Sequence, residues 1–170
     1  MSTNNPLFER SHILIGDEGI ARIEASHVLI AGIGGVGSFA AEALARLGVG
    51  QLTLVDHDVV SPSNLNRQLI ALNSTVNRLK ISVMAERIED INPNCRVTVL
   101  NQFLSPESIP SLLEKPFDVV IDAIDSMSSK ATLIETAWHR DITLFFKYGC
   151  WWKVRSDSNT HRRSHGYDYL

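Results

Sequence analysis

A glycine-rich turn, Gly32-Ile33-Gly34-Gly35-Val36-Gly37, lies between an apolar run at His27–Ile33 and an alanine-rich stretch at Val36–Leu47. This junction constrains the fold more than any other feature of the chain. A short apolar run entering glycines reads as a buried strand, and an alanine-rich segment ended by Gly48 reads as a helix. Small residues there let the backbone approach phosphates, and the helix N-terminus offers N–H groups and partial positive charge. The glycines alone are a weak functional signal, since any dinucleotide site shares them and a tight turn needs no ligand.

The same alternation continues along the chain. Strands are expected at Gln51–Val55, Cys95–Leu100, Phe117–Ile121 and Ile142–Phe145, with helices at Arg78–Ile91, Pro106–Leu113 and Ser128–His139. Ile81, Met84, Ala85 and Ile88 share one face of the second helix, and Pro93 stops it. Ser61–Leu72 reads as loop or short helix. Strands alternating with helices give an α/β, doubly wound, Rossmann-like parallel sheet, and right-handed crossovers give the order 3-2-1-4-5. Residues 1–26 form a helical lead-in with Ile13, Leu14, Ile20 and Ile23 at helical spacing. Residues 27–146 form the nucleotide domain, and 147–170 a tail.

The bulk numbers set limits. At 170 residues and 44% hydrophobic, the chain suits one domain with a core. A net charge of −3 gives no general nucleic-acid footprint, leaving only a local patch for such a substrate. Cys95 and Cys150 form no disulfide framework and no zinc pattern, so a reduced, cytoplasmic protein is expected. Neither a signal peptide nor a membrane-length apolar run is visible. Cys95, Trp138 and the scattered histidines read as packing or solvated residues, His57 alone being near the candidate site.

Four further clusters give the glycine turn a chemical context. Asp56, at the end of the second strand, suits ribose hydroxyls; Asp58 is equally a loop-structuring residue. Asn64-Leu65-Asn66-Arg67-Gln68 follows, where a simple NAD site would run straight into a helix. Arg67 carries a fork of donors that matches phosphate, though an exposed loop arginine is worth little. Lys80 supplies a second cation near a helix start, with Arg78 a competitor. Asp122 and Asp125 follow the fourth strand, on the ligand side of such a sheet. Asp125 suits Mg²⁺ on a triphosphate, while Asp125 or Ser126 also suits a helix cap. Together these read as an ATP site that activates a carboxylate. A plain NAD-binding oxidoreductase is the reading they disfavour.

The last segment departs from this pattern. Lys147–Leu170 is rich in Trp, His, Arg, Ser and Tyr and has no apolar period. Cys150-Trp151-Trp152-Lys153 must be encoded TGY TGG TGG AAR, and a shift of one base forces two successive glycines. Permitted codons then spell GAGGKSDPTRI, a glycine-rich turn followed by a strand-like run. The tail is therefore expected to be disordered or out of frame from near Phe145–Phe146.

The words GIGGVG, LTLVDHD, SNLNRQ, Lys80, INP and DAIDS resemble the ubiquitin-activating-enzyme-like superfamily of ThiF and MoeB type, over about residues 8–145. AAEALARLGVG, NLNRQLIAL, MAERIEDINPNCRVTV and VIDAIDSMSSK are most similar to the tRNA threonylcarbamoyladenosine dehydratase branch. That resemblance implies ATP-dependent adenylation of the threonylcarbamoyl carboxylate on tRNA, followed by closure to a cyclic product with loss of water. It implies that Gly35 contacts the nucleotide, Asp56 the ribose, and Asn66, Arg67 and Lys80 the phosphates. Gly32, Gly34, Gly37, Asp58, Asn64, Asp125 and Ser126 complete the expected nucleotide-binding set. Arg67, Lys80 and Asp125 would be catalytic, and Asp125 the Mg²⁺ ligand. The superfamily also implies a homodimeric full-length form and, as the alternative reading, adenylation of a ubiquitin-like sulfur-carrier protein beside a cysteine desulfurase. The chain departs from the pattern at Asn77, where glycine is common, and in lacking the elements after the fifth strand. An inactive fragment or non-catalytic nucleotide-binding remnant is the corresponding expectation.

Overall fold

The computed structural model describes residues 6–146; the expected tail, with Cys150, lies outside the described residues. A 3₁₀ turn at Pro6–Phe8 leads into α1 (Glu9–Ala25), β1 (His27–Ala31), α2 (Gly37–Leu47) and β2 (Gln51–Val55). Short 3₁₀ turns at Pro62–Asn64 and Asn73–Thr75 precede α3 (Lys80–Ile91) and β3 (Arg96–Leu100). Then come α4 (Ile109–Leu112), β4 (Val119–Asp122), α5 (Met127–His139) and β5 (Thr143–Phe146). The five strands are all parallel and ordered β3-β2-β1-β4-β5, as the alternation predicts.

Strand alternation splits the core into two layers. Val28, Ile30, Leu52 and Leu54 face Ala41 and Ala45 of α2 and Ile81, Met84 and Ile88 of α3. Leu29, Ala31, Val120 and Leu144 face the other way, onto Ile109 and Leu112 of α4 and Leu133 and Ala137 of α5. The chain winds outward from β1 to β3 and then returns to β4 on the far side of β1. The carboxyl ends of β1 and β4 therefore border the crevice where such sheets bind ligands.

Several local expectations change. α1 buries none of its residues and breaks at Gly16, whose φ of 66° lies in the left-handed region. Ile13 and Leu14 are 73% and 84% exposed, so their helical spacing marks no core face. α3 starts at Lys80 rather than Arg78, because Asn77 turns the chain at φ 68° and Val59 bridges Leu79 first. α4 is a single turn, shorter than the expected Pro106–Leu113 helix. Trp138 stands 52% exposed rather than packed, while Cys95 is buried. Among the described residues, no helix is long and apolar enough to cross a membrane.

Candidate nucleotide site

A cavity of about 520 Å³ opens at the carboxyl ends of the strands, a size suited to a small ligand. The glycine turn forms one wall. Gly32 has φ 91°, and a Cβ there would lie 2.9 Å from the Ala123 carbonyl oxygen. A Cβ on Gly37 would collide with the carbonyl of Gly32, so the turn folds tightly enough to require hydrogen at both positions. Gly32, Gly34 and Gly35 line the cavity, whereas Gly37 is buried behind it.

Asp56 ties this wall to β2. Its Oδ2 accepts from the Ile33 amide at 2.6 Å and its Oδ1 from the Asp58 amide at 2.8 Å. Each oxygen has acceptor capacity left for a ligand hydroxyl. Asp58 Oδ2 accepts from Lys80 Nζ at 2.7 Å, and its backbone carbonyl accepts from the Lys80 amide. The Lys80 side chain is only 7% exposed and the Asp58 side chain 50%, so a nearly buried cation is held at the cavity wall. Arg78 pairs with Glu86 instead and lines no part of the cavity. His57 does line it, edge-on to Phe103 with ring centroids 4.9 Å apart.

The loop after β2 forms the next wall. Asn64 is buried, and its Oδ1 accepts from the Ser61 amide at 3.0 Å, which closes a capping box. Asn66 accepts from Arg67 Nη1 at 2.9 Å, and the same nitrogen donates to the Ser63 carbonyl at 2.9 Å. Asn64 and Asn66 thus shape the loop and orient Arg67, and only Arg67 of the three lines the cavity. Gln68 also lines it. Its Oε1 is the one buried side-chain polar atom among the described residues without a hydrogen-bond partner. Such an atom is costly unless a ligand or water donates to it, so the wall fits a polar occupant.

The β4–α5 turn closes the far side. Ala123, Ile124, Asp125 and Ser126 all line the cavity. Ser126 is the α5 N-cap, accepting from the Ser129 amide, so Ser126 rather than Asp125 supplies the cap. Asp122 and Lys130 are buried below, joined at 2.6 Å. Burial pushes the Asp122 carboxyl up, and the Lys130 hydrogen bond partly offsets that. A lysine in an amphipathic helix suggests a solvated side chain. Its position at three and seven residues before Leu133 and Ala137 was the signal for a buried one.

The structure therefore gathers Gly32, Gly34, Gly35, Asp56, Asp58, Arg67, Lys80, Asp125 and Ser126 around one cavity. It leaves Gly37 and Asn64 buried behind the wall and Asn66 exposed outside the lining. Val36, His57, Gln68, Gln102, Phe103 and Leu104 join the lining without having been singled out as ligands. Ligand atoms of Asp56, His57 and Asp58 lie within 4.8 Å of one another, but Asp58 already pairs with Lys80 and Asp56 with two amides. Asp125 lines the opposite side of the cavity, and a magnesium ion on a triphosphate needs few protein carboxylates when phosphate oxygens and waters complete its shell.

Known proteins share this sequence and architecture. A tRNA threonylcarbamoyladenosine dehydratase of Bacillus subtilis is 46% identical over 142 residues, covering 84% of this chain and 56% of that protein. The protein of the same name from Haemophilus influenzae is 48% identical over 117 residues, covering 69% and 45%. The crystal structure of the Escherichia coli enzyme of that name, in complex with ATP, matches with a TM-score of 0.80 at 45% identity. That match covers 82% of this chain and 57% of the other. The chain thus spans about half the length of the curated relatives it matches. The model of the ThiF family matches residues 8–154, and the chain belongs to the ThiF family.

Proposed function

We propose that this cavity binds ATP with magnesium and that the protein activates a carboxylate by adenylation. The observation that carries this reading is the cationic pair, Arg67 and nearly buried Lys80, on the same cavity as the glycine turn and Asp56. A dinucleotide site needs no such pair beyond the second strand, whereas a cleaved triphosphate does. The relatives' names direct the choice of carboxylate to threonylcarbamoyladenosine in tRNA.

The roles follow from position. The backbone at Gly34 and Gly35 approaches the nucleotide, and Asp56 accepts a ribose hydroxyl with its remaining lone pairs. Arg67, oriented by Asn66, and Lys80, held by Asp58, meet the phosphates. Asp125 holds magnesium, which when bound offsets triphosphate charge. A carboxylate oxygen of the substrate attacks the α-phosphorus, and the bond to pyrophosphate breaks. The carbamoyl group of the same nucleoside then attacks the activated carbonyl carbon and closes the ring; AMP leaves with one carboxylate oxygen and the attacking group releases its proton to solvent, so the nucleoside loses the elements of one water. Preorganised cations stabilise the charge that develops on the phosphates. A cytoplasmic setting and a homodimeric full-length form accompany this proposal.

The test is a chimera joining residues 1–146 to the remaining half of the Escherichia coli relative, incubated with ATP, magnesium and tRNA bearing threonylcarbamoyladenosine. Nucleoside mass spectrometry should show the product lighter by one water. Unchanged nucleoside, with a sulfur-carrier protein adenylated at its C-terminus instead, would move the substrate to that protein.

A further inference from the structure

The buried pair Asp122–Lys130 lies outside the roles given above, although it sits directly beneath the turn that carries Asp125. We propose that Asp122 and Lys130 are positioning residues that clamp the β4–α5 turn against the glycine turn and so set where Asp125 meets a magnesium-bound triphosphate. This inference rests on the ATP reading for its ligand and on geometry for the clamp.

The geometry is specific. Asp122 is the last residue of β4, 1% exposed, and Lys130 lies in α5, 4% exposed. Oδ2 of Asp122 accepts from Lys130 Nζ at 2.6 Å, while its Oδ1 accepts from the Ile124 amide at 3.1 Å. One carboxylate thus binds the helix with one oxygen and the turn with the other. The next residue, Ala123, donates its amide to the Ala31 carbonyl at 2.8 Å, and its own carbonyl presses on Gly32. Ser129, beside Lys130, is buried and donates its hydroxyl to Ser126 Oγ at 3.1 Å. Strand end, turn, helix and glycine loop are therefore fixed to one another through this pair.

Energetics favour a positional role over a purely stabilising one. Taking two charges out of water costs nearly what their attraction returns, and a well-packed apolar pair often serves stability as well. A charged pair adds direction: the carboxylate has two acceptor edges at a fixed angle, and here both are used.

The variants are Lys130→Arg, Lys130→Met and the doubly neutral Asp122→Asn/Lys130→Met, which leaves no unpaired buried charge and should fold. In the full chain, calorimetry should show AMP binding in the double variant within about twofold of the original. The strengthening of ATP binding by magnesium should fall by about tenfold or more. Lys130→Arg should recover part of it. Hydrogen exchange should speed at Ile124 and Ala123 by tenfold or more in the double variant, with Leu29 and Leu54 unchanged. Equal loss of AMP and magnesium-ATP binding, or exchange unchanged at Ile124, would overturn the clamp. A starting chain that binds no ATP would refute the ATP reading alone, and the exchange arm would still decide the clamp.

Discussion

The Oδ2 of Asp56 accepts a hydrogen bond from the backbone amide of Ile33 at 2.6 Å, joining the end of β2 to the glycine turn across the cavity rim. The carboxylate therefore has a structural role before any ligand arrives. Asp56→Ala should leave the Ile33 amide without its acceptor and destabilise the fold by about 1–3 kcal/mol. Denaturant unfolding would measure it. Full stability in the variant would mean that the turn holds its shape without Asp56.

Lys80 and Asp58 are unequal partners, because Lys80 is the more buried. Lys80→Met removes a buried charge and leaves a half-exposed carboxylate that water can serve. Its stability should change by less than about 1 kcal/mol, while ATP binding weakens tenfold or more. Asp58→Ala strands the cation and should destabilise more than Lys80→Met does. Thermal melts of the two variants in parallel check the order, and the reverse order would contradict it.

Gly37 has no room for a methyl group, since its Cβ would collide with the Gly32 carbonyl. Gly37→Ala should cost about 1–3 kcal/mol through overpacking and open the turn, lowering nucleotide affinity although Gly37 lines no part of the cavity. Gly34→Ala is the control, because its nearest contact is Gln68 Nε2 at 3.8 Å. It should fold normally. Equal stability of the two variants would show that the turn is looser than its geometry.

Burial pushes the Cys95 thiol up to about 11 from 9.0. The unfolded thiol ionises first, so the stability linked to this group is fully present below pH 9 and lost as pH rises through 11. The loss is at most about 2–3 kcal/mol. Cys95→Ala should therefore show a shallower fall in stability between these values than the original chain. Parallel pH curves would contradict the shift.

The sheet was legible because its strands are short apolar runs with helices between them, and crossover handedness leaves few ways to order them. The glycine turn, Asp56, Arg67 and Lys80 were legible as residue types suited to nucleotide chemistry. Their division of labour was not. Asn64 looks like a ligand in sequence, yet its side chain closes a capping box, because a local backbone amide is nearer than any ligand. Lys130 reads as a solvated helix lysine until its partner, eight residues upstream on β4, is placed beneath it. α1 shows the opposite failure: of its apolar residues at helical spacing, Ile23 packs against the core, whereas Ile13 and Leu14 stand exposed. Periodicity reports a face, and only tertiary structure says what covers it.

Calorimetric titration of the 170-residue chain with ATP and with NAD, each with and without magnesium, tests most directly that the cavity is a triphosphate site. ATP binding should be strengthened by magnesium, NAD should bind more weakly than ATP, and Arg67→Ala should lose about 1.5–3 kcal/mol of ATP binding. Tighter binding of NAD than of ATP, with Arg67→Ala unchanged, would contradict it.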